Sequence, residues 1–432
     1  MGRQWAFAVA TMLAAAATAY AAEEFTFDAS KFEKKPLEFG GYVELKHESF
    51  SLNQAGAFYT LNYLGQPQRS TLDRTTTTFK PSMKFRTGIA TLSARGHFDN
   101  VDDNFASERT NRFDELFVSL KPDPSVTIEA GKNAFKWGKG YAWSPVAFIE
   151  RAKDPNDPEL AREGYTAISA DLIRNFDGPL QTLALTPVLL PVTGQVNSDY
   201  GSTGHLNAAA KLYLLYRDTD IDFVFLNNGS RSRRYGLDFS RNITSNLEIH
   251  GDWARISSFD QRIIDPSGTF STRSGTATSY LIGARYLTAK DTTYLIEYYR
   301  NGTGYTEHQT TNFFQLVTNG INQQQTTGNT ALLQKAASAA QSGYSRPNAG
   351  RQYVYARVSN KEPFDILYFT PALTAIVNLD DRSFSIAPEA LYTGFNNVEL
   401  RIRATFLNGG ENTEFGEKAN ARKIEFYARY YF

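Results

Sequence analysis

Apolar and polar residues alternate in steps of two along most of this chain. Arg422–Phe432 is the clearest case: Ile424, Phe426, Ala428, Tyr430 and Phe432 fall on one face, and Lys423, Glu425, Tyr427, Arg429 and Tyr431 on the other. Thr77–Arg86 repeats it, with Phe79, Pro81, Met83 and Phe85 opposite Lys80, Ser82, Lys84 and Arg86. A period of two is that of a strand, because successive side chains leave the backbone on opposite sides. An apolar face ending in aromatics, set against a charged face, suits a wall with lipid on one side and water on the other.

The pattern places strands at 39–49, 77–86, 89–98, 113–120, 126–135, 165–174, 180–192, 206–216 and 221–226. The second half continues it at 234–241, 246–256, 280–287, 293–300, 351–358, 364–377, 384–393, 398–407 and 422–432. Pro/Asp/Gly turns such as Pro122-Asp123-Pro124 and Asp177-Gly178-Pro179 close one end of successive hairpins. Long segments at 52–74, 99–112, 136–164, 257–278, 302–350 and 408–420 all fall at the other end. The expectation is all-β: a transmembrane antiparallel up-and-down β-barrel over residues 37–432, with about eighteen strands and sixteen as the alternative. The 302–350 segment is rich in Gly, Asn, Gln and Thr and suggests mobility, with room for a short helix at 331–341.

Composition narrows the class. Mean hydropathy is −0.40, and beyond the N-terminus no apolar run reaches the roughly 20 residues of a membrane helix, so a membrane life requires a barrel. Arg3, the apolar Trp5–Tyr20 and the small-x-small Ala19-Tyr20-Ala21 form the layout of a signal peptide, residues 1–21. A charged arm, 22–36, then precedes the barrel. Cysteine is absent, which excludes disulfides, thiolate metal sites and covalent haem. Acids and bases balance at 45 each, so nothing points to nucleic acid. Asp99–Asn104 lacks the spacing of a calcium loop, and no cofactor or metal is expected. The histidines lie far apart without a zinc-protease or nucleophile-elbow pattern. His250 beside Asp252 is the one compact pair on a polar face, and no enzyme activity is expected.

Two stretches resemble known families. The final strand, with apolar or aromatic residues at every second position up to the terminal Phe432, resembles the closing strand of bacterial outer-membrane β-barrels, where this end is the assembly signal. The run from Gly131-Lys132-Asn133 through Trp137-Gly138-Lys139-Gly140-Tyr141-Ala142-Trp143-Ser144-Pro145 to Arg162-Glu163-Gly164 is similar to an element of porin-like outer-membrane families, with no subfamily identified. These resemblances imply the cell outer membrane, contact with its lipid and lipopolysaccharide, and insertion by the barrel-assembly machinery. They leave room for a homo-oligomer. The short turns and the 22–36 arm would then be periplasmic and the long loops extracellular.

The function is expected in the lumen. Trp137, Tyr141 and Trp143 are three large aromatics within seven residues, each able to bury on the order of 150–250 Å², and are expected to anchor Lys136–Gly164 against the inner wall. Lys136, Lys139, Arg151, Lys153, Asp154, Asp157, Arg162 and Glu163 would line the narrowest path, and Arg401, Arg403 and Arg429 of the wall are expected to point into the lumen as further lining. Wall charges of both signs predict no strong ion selectivity; a structural ion-pair network is the alternative. Three roles follow: a porin-like channel for small hydrophilic solutes, a selective pore such as one exporting a polysaccharide, or a scaffold sheathing a periplasmic partner such as an electron carrier.

Overall fold

A computed structural model describes residues 36–103 and 105–432 of the chain. The expected signal peptide, and the arm apart from Pro36, lie outside the described residues. Eighteen strands form one antiparallel sheet. They are β1 Leu37–Leu52, β2 Thr71–Thr87, β3 Ala90–Asp103, β4 Ser107–Asp123, β5 Val126–Asn133, β6 Tyr165–Asn175, β7 Leu180–Val192, β8 His205–Tyr216 and β9 Thr219–Leu226. The second half contributes β10 Arg234–Asn242, β11 Leu247–Ile264, β12 Phe270–Leu287, β13 Thr292–Arg300, β14 Gln352–Asn360, β15 Phe369–Asn378, β16 Phe384–Phe395, β17 Val398–Asn408 and β18 Asn420–Tyr431. Each strand pairs with its neighbours in sequence, and β1 pairs with both β2 and β18, so the sheet closes and leaves no edge.

Closure is fixed at both ends of the chain. Tyr42 lies opposite Tyr431 and Leu45 opposite Ala428, while Phe432 and Gly41 exchange both backbone hydrogen bonds at 3.1 Å. The Phe432 ring sits on the lipid side between Phe39 and Phe79, with centroids 5.7 and 6.0 Å away. Alternation then sorts every strand. Ile168, Leu206, Ile282, Ile296 and Ile402 stand outward and exposed, whereas Asp222, Asp238, Glu297, Arg403 and Glu425 point inward and are buried. An exposed apolar exterior around a closed sheet with a polar interior belongs against hydrocarbon.

The strands run further than alternation predicts. Asp99–Arg112 is not a loop but the paired outer end of β3 and β4, and Ser257–Thr278 is mostly the extended β11–β12 hairpin. Above the bilayer both faces are wet, so the ladder continues after the hydrophobic pattern stops. β15 begins at Phe369 rather than Phe364, because Glu362, Phe364, Asp365 and Tyr368 are left-handed, with φ of 53 to 63°. At the opposite extreme of length, Arg217 and Asp218, both at positive φ, join β8 to β9 in a two-residue turn.

The 302–350 segment corrects the expectation of mobility. It folds into α2 (Glu307–Thr327) and α3 (Ala331–Ala339). Thr306 and Gln309 form a reciprocal capping box, and Gly328 at φ 73° ends α2. Phe313, Phe314, Leu316, Val317, Leu333 and Ala336 form an apolar core with Ile264 of β11 and Phe58 of a short helix, α1 (Ala57–Asn62). Glu417 ties this cap to the last hairpin by accepting the Ala57 N–H at 2.7 Å and the Asn412 N–H at 2.8 Å. The short helix expected at 331–341 is α3, whereas Gln, Asn and Thr hid α2 because they occupy its solvated face while its apolar stripe is narrow.

Candidate functional site

Between β5 and β6 the chain leaves the wall at Ala134 and returns at Gly164 with neither helix nor strand to satisfy its backbone. Buried N–H groups must then find other acceptors, and carboxylates supply them. Asp252 of β11 accepts the Lys139 N–H at 2.9 Å. Glu297 of β13 accepts from Tyr141 and, at 2.8 Å, from Ala142. Glu150, from the segment itself, accepts the Trp137 N–H. Ser144 Oγ donates to the Trp137 carbonyl at 2.8 Å, and its 3.2 Å contact reaches Asp252. The turn needs glycine at 138: φ is 92°, and a Cβ there would collide with Ser144 Oγ and Asp252.

Aromatics press the same segment onto the inner wall. Trp143 stacks on Tyr299 at 5.1 Å and touches Tyr353 and Tyr355 at 5.9 and 6.1 Å. Tyr141 meets Tyr355 at 5.9 Å and donates its hydroxyl to Glu159 at 3.0 Å. Trp137 packs with Val146, Phe148 and Ile149 against Ala167, Val188 and Val224 of the wall. The structure therefore places all three expected anchors against the barrel interior.

Side-chain charges complete the docking. Asp222, Asp238 and Asp252 stand opposite one another on β9, β10 and β11. Lys139 Nζ enters that row, 3.0 Å from Asp222 and 3.8 Å from Asp238. Lys153 donates to the carbonyls of Gly140 and Tyr141, and Arg162 pairs with Glu150 at 2.8 Å. Glu163 gathers Lys132, Arg112 and Arg151, and Arg151 also pairs with Asp199. Across the lumen Asp157 reaches Arg401 of β17 at 3.7 Å. There Arg401 pairs with Glu399, Arg403 with Glu389, and Arg429 with Glu44 and Glu399. The segment thus spans from the Asp114 carbonyl of β4, which accepts the Gly164 N–H at 2.9 Å, to the β17 wall.

Burial shifts the titration of the docked segment. It pushes Glu150 up to about 7 against the opposing pull of the Trp137 N–H and Arg162. It also raises Asp157 despite Arg401, and lowers Lys153, with Arg162 adding to the effect.

Two of the expected lining residues stand apart from this network. Lys136 is exposed at the entry of the segment, and Asp154 accepts from Asn156 in a local turn. His250 pairs with Glu297 at 2.8 Å and Glu248 at 3.1 Å rather than with Asp252. His97 with Asp114 makes a second compact pair. Asp99 and Asp102 pair with His97 and Asn100, and among the described residues no three acidic or histidine side chains are grouped to hold a metal. Glu150 was missed, although it is the lone acid closing the apolar run Val146–Ile149. The tyrosine bed for Trp143 was missed because strand pairing, not sequence spacing, assembles it.

No family model and no curated protein matches this chain. Solved structures do. OprD of Pseudomonas aeruginosa matches at a TM-score of 0.52 and 11% identity, over 93% of this chain and 97% of that one. OccK7 (OpdD) of the same organism gives 0.52 and 11%, over 92% and 98%. OccAB1 of Acinetobacter baumannii gives 0.51 and 10%, over 91% and 96%. These neighbours are outer-membrane porins and channels, and the likeness is one of fold: the chain is an eighteen-stranded barrel of the bacterial outer-membrane type.

Proposed function

We propose that the protein is an outer-membrane channel for small hydrophilic solutes, and that residues 134–164 set its cutoff. The observation that carries this reading is the docking of that segment across the lumen, from the carboxylates of β9–β13 to Arg401 of β17. Water-filled barrels need an internal constriction to discriminate, and a polar one offers passing solutes hydrogen-bonding groups of both signs. The path then lies between the docked segment and the ion-pair wall of Arg401, Arg403 and Arg429, which supports selection by size and polarity over selection by net charge. Fold likeness to channels supports the same reading.

Removing Trp137–Asp157 from the chain and recording single channels in a planar bilayer tests it. Conductance and the size limit for neutral sugars are expected to rise severalfold. An unchanged conductance from a folded barrel rejects the constriction. A barrel that conducts only with a bound periplasmic partner, or only for an anionic or neutral polysaccharide, rejects the small-solute reading in favour of a scaffold or an export pore.

A further inference from the structure

On the outer wall, away from the lumen, the β7–β11 face carries an apolar groove of about 480 Å³. Leu185, Ala210, Leu212, Phe225, Tyr235 and Trp253 line it. Register explains the dent: Ala210 lies opposite Phe225, which lies opposite Tyr235, so a methyl group sits in a row of large side chains. The groove is shallow and open along the wall, and its lining is almost wholly hydrocarbon and ring faces.

Arginines crown the groove. Arg255 lies opposite Tyr235, and Arg300 lies opposite Tyr280, itself opposite Trp253. Arg233, in the loop just before β10 and two residues before Tyr235, is exposed. With strands about 4.8 Å apart, the three span on the order of 15 Å along the rim. All lie toward the long-loop end of the barrel, which is the outer leaflet side. On the lumen side Arg357, Arg403 and Arg429 pair with acids, whereas Arg262 and Arg273 are held by Phe270 and Gln261 instead. Among the described residues Arg233, Arg255 and Arg300 have no carboxylate in ion-pair range; Arg255 meets Thr278 Oγ1 at 3.5 Å and Arg300 hydrogen-bonds Tyr298. Unpaired guanidinium groups above an apolar bed complement an amphiphile with phosphates at one end and acyl chains at the other.

We infer that this face holds lipid A, the phosphorylated and acylated glycolipid of the outer leaflet, with one acyl chain in the groove and its phosphates on Arg233, Arg255 and Arg300. The inference rests on the outer wall alone and is independent of conduction. Native mass spectrometry of the purified full-length protein tests it, titrated separately with lipid A, dephosphorylated lipid A and phosphatidylglycerol. The protein is expected to retain lipid A at least tenfold better than either of the others. The combined substitution of Arg233, Arg255 and Arg300 by Gln should abolish that preference, and Ala210→Phe, which fills the groove, should weaken retention of all acylated ligands. Equal retention of phosphorylated and dephosphorylated lipid A overturns the proposal, as does equal retention of phosphatidylglycerol. So does an unchanged preference in the arginine variant that still runs as a folded, heat-modifiable barrel. If that variant does not fold, the comparison of lipids on the unaltered protein decides alone.

Discussion

Two long excursions leave the barrel, and they are held by opposite physics. Residues 134–164 turn inward without regular structure, and their N–H groups are received by Asp252, Glu297 and Glu150. Residues 301–351 stay at the outer rim and satisfy their own backbone with α2 and α3, which frees their side chains to build an apolar core. The first is therefore coupled to the charges of the lumen, while the second is a cap held by apolar packing onto α1 and β11. A segment that borrows its hydrogen bonds from the wall responds to ionisation there. One that closes its own helices responds chiefly to lost packing.

Breaking the cap should give the largest local effect. Phe313→Ala removes a fully buried ring that lies 4.5 Å from Tyr344 and 5.7 Å from Phe58. A core deletion of this kind costs about 3–5 kcal/mol. Limited proteolysis should then cut within α2 and α3, while single-channel conductance stays at its original value. A conductance jump as large as that from deleting Trp137–Asp157 would mean the two regions are not independent.

Releasing the inner segment comes next. Asp252→Ala strips acceptors from Lys139 N–H and Ser144, and hydrogen bonds to a charged group are worth about 1.5–3 kcal/mol. Bilayer recordings should show added open-channel noise and a raised mean conductance, with cap proteolysis unaltered. Quiet traces identical to the parent would show that the aromatic contacts of Trp143 suffice to dock the segment.

The smallest effect is on pH. Glu150 titrates near 7 when docked, against an ordinary value of 4.5. Docking therefore favours the protonated carboxyl: its contribution is fully present below 4.5 and is lost as pH rises through 7. Conductance noise should increase modestly between pH 5.5 and 8, and Glu150→Gln should flatten that profile. A slope that survives the substitution assigns the titration to another group.

The strand pattern was legible because lipid on one face and water on the other impose a period of two. That requirement placed all eighteen strands and put Ile402 outward and Arg403 inward. It lost the strand ends at Asp99–Arg112 and Ser257–Thr278, where both faces are wet and alternation carries no information. It also lost α2, since a helix with Gln and Asn on its exposed side resembles a polar loop until its partner helix is known. Within the candidate site, three aromatics in seven residues announced an anchor, but nothing local named the surface that receives it.

What the sequence determined alone is the wall: where strands run through the bilayer, and which side chains face lipid or lumen, follow from a local rule that each pair of adjacent residues obeys. Only the tertiary structure decided which wall groups meet the inner segment. Lys139 and Asp252 lie 113 residues apart, and Ala142 and Glu297 lie 155 apart. Alternation states that Asp252 and Glu297 face the lumen, yet not what stands before them there. That depends on the curvature and closure of the whole sheet, which sets the distance across the lumen and so the acceptors that unpaired N–H groups can reach.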